Sequence, residues 1–453
     1  MNPYTDLGVL DFLLLPFLLA LVYGFAYSYR NRHYRDGHPL RPYFIPALSI
    51  KIFGAILIGL IYAYYYKGGD TFNYFYHSQV INSAMDESVE KWFNLILRIP
   101  KSTDVEYYEY IEKMQWYKDP STYTVSSLTA LLSIITFNSY LPTAVLFAVI
   151  SFTGAWALFR TFSSLYPNLL RAVSIPTLFI PSVIVWGSGI FKDSLCMFGL
   201  GWLSYSIFRM VLKRDFSIWN MIISVFCFLL VSTVKIYIVL AFIPALAIWL
   251  VNIYTQKIRN TLSRFSVNVF LFLIIIGVSL MLFQYFSNSL GKYSIEQIST
   301  TSNTTRRWIS YVSELESGSS YDLGNFSPTF GGIISRIPQA INVTLFRPYI
   351  WEVRKPIVLL SALESLLFFL LTIRLMIEVG PKRIYRTILR EPTVRFCLIF
   401  SLIFSFSVGI SSYNFGALSR YKIPALPFYT LGIIIIWYKN KSKNQKIFRL
   451  LNI

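Results

Sequence analysis

The stretch Val125–Phe137, VSSLTALLSIITF, decides how this chain is threaded. It is apolar enough to enter a bilayer, yet as a helix it would rise only about 20 Å against about 30 Å of hydrocarbon. Counting it as a span would turn every later loop over. The basic clusters Lys213/Arg214, Lys257/Arg259/Arg264, Lys382/Arg383/Arg386/Arg390 and Lys439/Lys441/Lys443/Lys446 would then face outward. That opposes the excess of Lys and Arg found in cytoplasmic loops, so the segment is assigned as an interfacial or re-entrant helix.

With it set aside, the expected fold is an all-α polytopic membrane protein of about eleven transmembrane helices. The spans are placed at Gly8–Ser28, Ser49–Tyr66, Thr143–Phe159, Val173–Trp186, Ser194–Leu212, Ile218–Thr233, Ile236–Ile253, Val267–Phe286, Ile357–Ile373, Phe396–Ile410 and Ala425–Tyr438. They form a single membrane domain, 1–453, with interfacial helices in two outer loops at about 67–142 and 287–356. An outer N-terminus and an inner C-terminus put 24 of the 41 Lys and Arg on the inner side with only 4 acids. That side then carries about +20 and the rest about −1, so the net charge of +19 is a positive-inside signature and not a nucleic-acid footprint.

Composition agrees, since 55% hydrophobic, 18% aromatic and 14% charged residues cannot be wrapped around one soluble core. Cys196, Cys227 and Cys397 all lie inside apolar runs, where they serve as small core residues. The first apolar run has no basic region before it and is followed by Arg30, Arg32 and Arg35, so it reads as a retained span and not a cleaved signal. No internal repeat of the inverted-repeat transporter kind is visible.

The sharpest local pattern is YAYYYKGGDTFNYFYHS, Tyr62–Ser78. Gly68 and Gly69 permit a tight turn, after which Asp70 or Thr71 can cap a helix. On that helix Asp70, Tyr74 and His77 are spaced i, i+4, i+7 and share a face. A surface carboxylate backed by a phenol and an imidazole suits a general base acting on a hydroxyl nucleophile; a plain N-cap beside an interfacial aromatic belt is the structural alternative.

A second pattern is WGSGIFKDSL, Trp186–Leu195, with adjacent Lys192 and Asp193; Lys235 occupies a similar outer hairpin in STVKIYIV. Lys192, Asp193 and Lys235 are candidate substrate-binding residues; as structural residues, Asp193 would cap the following helix while Lys192 and Lys235 would snorkel to headgroups. A third is basic and aromatic: Arg306-Arg307-Trp308, Arg336, FRPYIWEVRKP at Phe346–Pro356, and SRYKIPALP at Ser419–Pro427. Arg347, Arg354, Lys355, Arg420 and Lys422 fall outside, where no positive-inside bias explains them, and suit a phosphate or pyrophosphate headgroup. Glu364, isolated in ALESLLFFLL, is an intramembrane acid and so a candidate substrate-binding residue, most simply paired with one of these bases.

The three histidines, His33, His38 and His77, fall on both membrane faces, so no metal site is expected; no phosphate-binding glycine loop or nucleophile elbow occurs either. The sequons at Asn303, Asn325 and Asn342 lie in the second outer loop.

YYYKGGDTFNYF after an early span, FRPYIWEVRKPIVLLSALESLLFF leading into a late one and SRYKIPALPF before the last together resemble bacterial enzymes that build surface polysaccharides. These are the GT-C superfamily of membrane glycosyltransferases and the related O-antigen or capsule repeat-unit polymerases. The resemblance covers most of the chain without a strict signature. It implies an acid in the first outer loop, here Asp70, outward arginines, here Arg347, Arg354 and Arg420, and a polyprenyl-phosphate or diphosphate sugar donor with no metal or cofactor. In the common layout the first outer loop follows the first span; here it follows the second.

The expectation is a glycosyltransferase or oligosaccharide polymerase on the outer face of a bacterial inner membrane, joining a polyprenyl-linked glycan donor to a glycan acceptor among membrane lipids. The alternatives are a flippase or transporter of a lipid-linked glycan, and a non-catalytic envelope scaffold.

Overall fold

The computed structural model describes residues 7–256, 258, 260–285, 320–324 and 330–440. Asn303, Arg306, Arg307, Trp308, Asn325, Lys257, Arg259 and the tail lysines Lys441, Lys443 and Lys446 lie outside the described residues. The described chain is helical, and seven helices are long and apolar enough to cross a membrane. They are Val9–His33, Arg41–Tyr65, Tyr140–Leu165, Lys192–Lys213, Ile218–Thr255, Pro356–Val379 and Pro392–Ser412; the pair Phe415–Tyr421 and Ala425–Lys439, bent by 65°, makes an eighth if it is one span. This is a membrane-embedded, all-α chain.

Several expected spans take a different form. Val173–Trp186 is two short helices, Leu170–Leu178 and Pro181–Trp186: Pro176 lies inside the first, and Pro181 opens the second after a break in extended backbone at Ile180. The spans expected at Ile218–Thr233 and Ile236–Ile253 form one 38-residue element, interrupted at Lys235, whose φ of −150° and ψ of 82° are not helical. Of Val267–Phe286, the part up to Tyr285 lies in the helix Thr261–Tyr285, and Phe286 lies outside the described residues. Most of the deciding stretch, up to Ile135, lies in the helix Pro120–Ile135, whose 16 residues rise only about 24 Å; Thr136 is its C-cap and Phe137 stands beyond it at positive φ.

The chain divides into two compact units, Met1–Leu170 with Thr177–Lys235, and Arg171–Pro176 with Ile236–Ile453. In the first, Tyr140–Leu165 is the central helix, buried along most of its length. It meets Lys192–Lys213 backbone to backbone: a Cβ on Gly201 would lie 2.0 Å from the Gly154 carbonyl oxygen, and one on Gly154 would lie 2.3 Å from Phe198 Cα. Small residues at a helix crossing are what permits such an approach where lipid supplies no hydrophobic drive between helices. The first helix is anchored by Asp11, which is 5% exposed and accepts from the Gly8 amide at 2.9 Å and the Leu141 amide at 2.8 Å.

Residues between the second and third spans form a helical lobe. Asp70–Ser83, Val89–Ile96, Tyr108–Lys113 and Pro120–Ile135 share a core of Ile81, Ala84, Leu95, Met114, Tyr123 and Ala130. The Tyr123 hydroxyl donates to the Leu95 carbonyl at 2.7 Å and Asn82 Nδ2 donates to Ser133 Oγ at 2.9 Å, pinning three of the four helices. Asp119 caps the last of them, accepting from the Ser121 amide at 3.0 Å and the Thr122 amide at 3.3 Å.

In the second unit, Pro392–Ser412 packs on Ile337–Phe346 at Gly409, where a Cβ would lie 2.2 Å from the Ala340 carbonyl oxygen. Against Ala425–Lys439 it packs through aromatic edges, with Phe400 and Phe428 centroids 4.8 Å apart at 75°. Asn414 caps Phe415–Tyr421, accepting from the Gly416 amide at 2.7 Å, and the Tyr321 amide donates to the Tyr413 carbonyl at 3.1 Å.

Candidate functional site

In the first unit the chain leaves the second span through Lys67, Gly68 and Gly69, all at positive φ. Gly69, at φ 116°, is the N-cap of Asp70–Ser83, and no side chain caps the helix. Asp70 is therefore the first helical residue and not the cap that the sequence suggested; its carboxylate sits at the positive end of the helix dipole. Asp70 is half-buried, whereas Tyr74 and His77 are 3% and 2% exposed. Both pack on Trp116, at centroid distances of 6.2 and 5.7 Å. Thus one member of the expected face is open and two lie behind it. Burial pushes the His77 imidazole down to about 4, so the ring is neutral at pH 7, and His77 Nδ1 has no hydrogen-bond partner among the described residues.

The turn WGSGIFKDSL is the best-connected part of this unit. Asp193 is 0% exposed and is paired with Lys235, itself 7% exposed, at 2.5 Å. Lys192 Nζ reaches Asp119 Oδ2 at 3.2 Å and Ser121 Oγ at 2.6 Å in the lobe. Burial opposes ionisation of Asp119, but hydrogen bonds from Thr122 and the charge of Lys192 win and hold its carboxyl below the usual range. The structural roles anticipated from sequence are replaced on all three counts: Phe191, not Asp193, is the N-cap, and neither lysine snorkels, because each reaches a carboxylate within the protein.

Lys51 was not anticipated. It sits inside the second span, 1% exposed, and donates to Ser151 Oγ at 3.2 Å and to the carbonyls of Val183 at 3.1 Å and Gly187 at 2.8 Å. It thereby fastens the turn's backbone to two spans. A lone lysine in ALSIKIFGAILIGL was the available signal, since ionisable residues inside spans are functional candidates by default.

In the second unit, Lys422 is 0% exposed, donates to Ser365 Oγ at 2.7 Å and feels the charge of Glu364, which is 5% exposed. Ser365 Oγ in turn donates to the Arg347 carbonyl at 3.0 Å. Arg347 Nε donates to Glu352 Oε2 at 3.0 Å, while its guanidinium lies 5.2 Å from the Phe415 ring centre and 5.6 Å from that of Tyr349. Arg420 is 7% exposed, Arg354 is exposed, and Lys355 is the N-cap of Pro356–Val379. Arg347, Glu364 and Lys422 are thus brought together, whereas Lys355 caps that helix about 14 Å of rise before Glu364, and Arg354 precedes the cap. Among the described residues, no three His, Cys, Asp or Glu side chains gather to hold a metal ion.

Comparison with protein-family models, curated proteins and solved structures found no match.

Proposed function

We propose that the chain is an integral-membrane glycosyl-transferring enzyme of the bacterial inner membrane, working at its outer face on a polyprenyl-(di)phosphate-linked glycan donor. The observation that carries this is the placement of Asp70: a half-buried carboxylate at the head of a helix, presented by a left-handed turn at the end of a span and backed by buried Tyr74 and His77. A carboxylate so placed is available to take the proton of an acceptor hydroxyl as its oxygen attacks the sugar carbon. The bond to the lipid phosphate then breaks, and the charge that develops on the departing phosphate is the group a cation must meet. Among the described basic residues of the second unit, Arg354 is exposed, and an arginine of that kind suits a lipid-phosphate group. Arg347 is engaged with Glu352, and Lys422 is sealed against Ser365 and Glu364; their part is to hold that segment of the second unit in place.

A second reading, movement of a lipid-linked glycan across the membrane, is favoured by one observation: the buried Asp193–Lys235 pair at a break in a long apolar helix. Charges and broken helices within spans mark translocation paths. Sealed proteoliposomes carrying labelled lipid-linked glycan and acceptor separate the two. An enzyme makes a new glycosidic bond without moving the donor between leaflets; a transporter moves the donor and makes none.

A further inference from the structure

We infer that the first unit contains a second binding site, for the phosphate group of an anionic ligand, in a cavity of about 530 Å³ near the ends of Tyr140–Leu165 and Lys192–Lys213. It is lined by Arg160, Arg209, Lys213, His38, Tyr205 and Ser163.

Two features show that the cavity is built to receive an anion. Arg160 Nη2 and Arg209 Nη1 both donate to the single Tyr205 hydroxyl, each at 2.7 Å, so two guanidinium groups converge on one neutral oxygen. Among the described residues, the carboxylate that answers them is Asp215, held by Arg209 Nε at 2.5 Å, on one side only. Bringing like charges together is unfavourable unless an anion is shared between them, and guanidinium forks match phosphate oxygens bidentately. The second feature is Ser163, which is 5% exposed, lines the cavity, and whose buried Oγ has no hydrogen-bond partner among the described residues. A buried hydroxyl without a partner is costly, and a ligand oxygen would satisfy it.

The remaining wall indicates the rest of the ligand. Leu40, Leu165, Phe208 and Leu212 make much of the lining apolar, and the volume exceeds that of a bare phosphate ion, within the range of small-ligand pockets. The recognised chemistry is a phosphate group joined to apolar or neutral matter. A membrane lipid headgroup and a soluble phosphate or pyrophosphate ester both provide it.

The test uses the full chain in phosphatidylcholine nanodiscs, with pyrophosphate binding followed by calorimetry and phosphatidylglycerol retention followed by native mass spectrometry. Arg160→Gln should weaken whichever ligand binds by about tenfold or more, as loss of a charge-assisted contact does. Ser163→Ala removes a hydroxyl that no group among the described residues uses, so it should fold normally and weaken binding several-fold. Lys213→Gln, exposed and with little to lose structurally, should do likewise. Pyrophosphate binding lost in these variants identifies a soluble phosphate compound as ligand, and phosphatidylglycerol retention lost identifies a headgroup. If neither probe binds, or if binding in Ser163→Ala and Lys213→Gln equals wild type, the inference is overturned.

Discussion

Lys235 Nζ donates to Asp193 Oδ1 at 2.5 Å, joining the break in the 38-residue helix to the first turn of Lys192–Lys213 with both side chains withdrawn from solvent. Two charges taken out of water are tolerated more readily when each answers the other. Removing one partner leaves the second buried without its counter-charge.

Asp193→Asn should therefore lower unfolding stability in detergent or nanodiscs by about 3–5 kcal/mol. The double variant Asp193→Leu/Lys235→Met removes both charges and should recover most of that loss. A double variant no better than the single one would show that the pair does not act as a unit.

His77 gives the first unit a pH dependence. Its folded value of about 4 lies below the ordinary 6.5, so between those values the unfolded chain binds the extra proton. Stability is complete above about pH 6.5 and falls as the pH drops toward 4. Thermal unfolding should register a loss on the order of 2 kcal/mol between pH 7 and 4.5, and His77→Gln should flatten that slope. An unchanged slope in the variant would assign the acid sensitivity elsewhere.

The proposed threading places the lobe outside and the basic helix Pro381–Arg390 inside. Single cysteines introduced between Lys101 and Lys118 should react with an impermeant maleimide added to intact cells, and one at Lys382 or Arg386 should not. The native Cys196, Cys227 and Cys397 are buried, which keeps the background low. Labelling at Arg386 from outside would invert the threading.

The helical, membrane-embedded character of the chain was legible in long apolar runs, and most candidate spans fell within helices of the expected position. What escaped was set by contacts distant in sequence. Asp193 and Lys235, 42 residues apart, each looked like a separate surface residue of its own hairpin, and nothing local announces that they meet. Lys51 was hidden because its acceptors are two main-chain carbonyls and a serine, groups that every sequence contains. Val173–Trp186 read as one span because average hydropathy does not register the break in extended backbone that precedes Pro181. The lobe between the second and third spans gave no sign of its own core, since Ile81, Leu95, Met114 and Tyr123 are spread over short helices with polar connections. At the candidate site, the i, i+4, i+7 spacing correctly placed Asp70, Tyr74 and His77 on one helix. Only the packing of Trp116 revealed that the latter two lie behind the first.

The most direct test of the enzymatic account is Asp70→Asn in purified protein, supplied in nanodiscs with a polyprenyl-diphosphate-linked glycan and an acceptor. Nanodiscs have no compartments, so only bond formation is read. The variant keeps size and helix position while losing basicity; it should bind donor as wild type does and form the glycosidic bond about 10² times more slowly or worse, with Tyr74→Phe milder. Wild-type protein that binds donor yet joins nothing, or an Asp70→Asn variant as fast as wild type, would contradict the account.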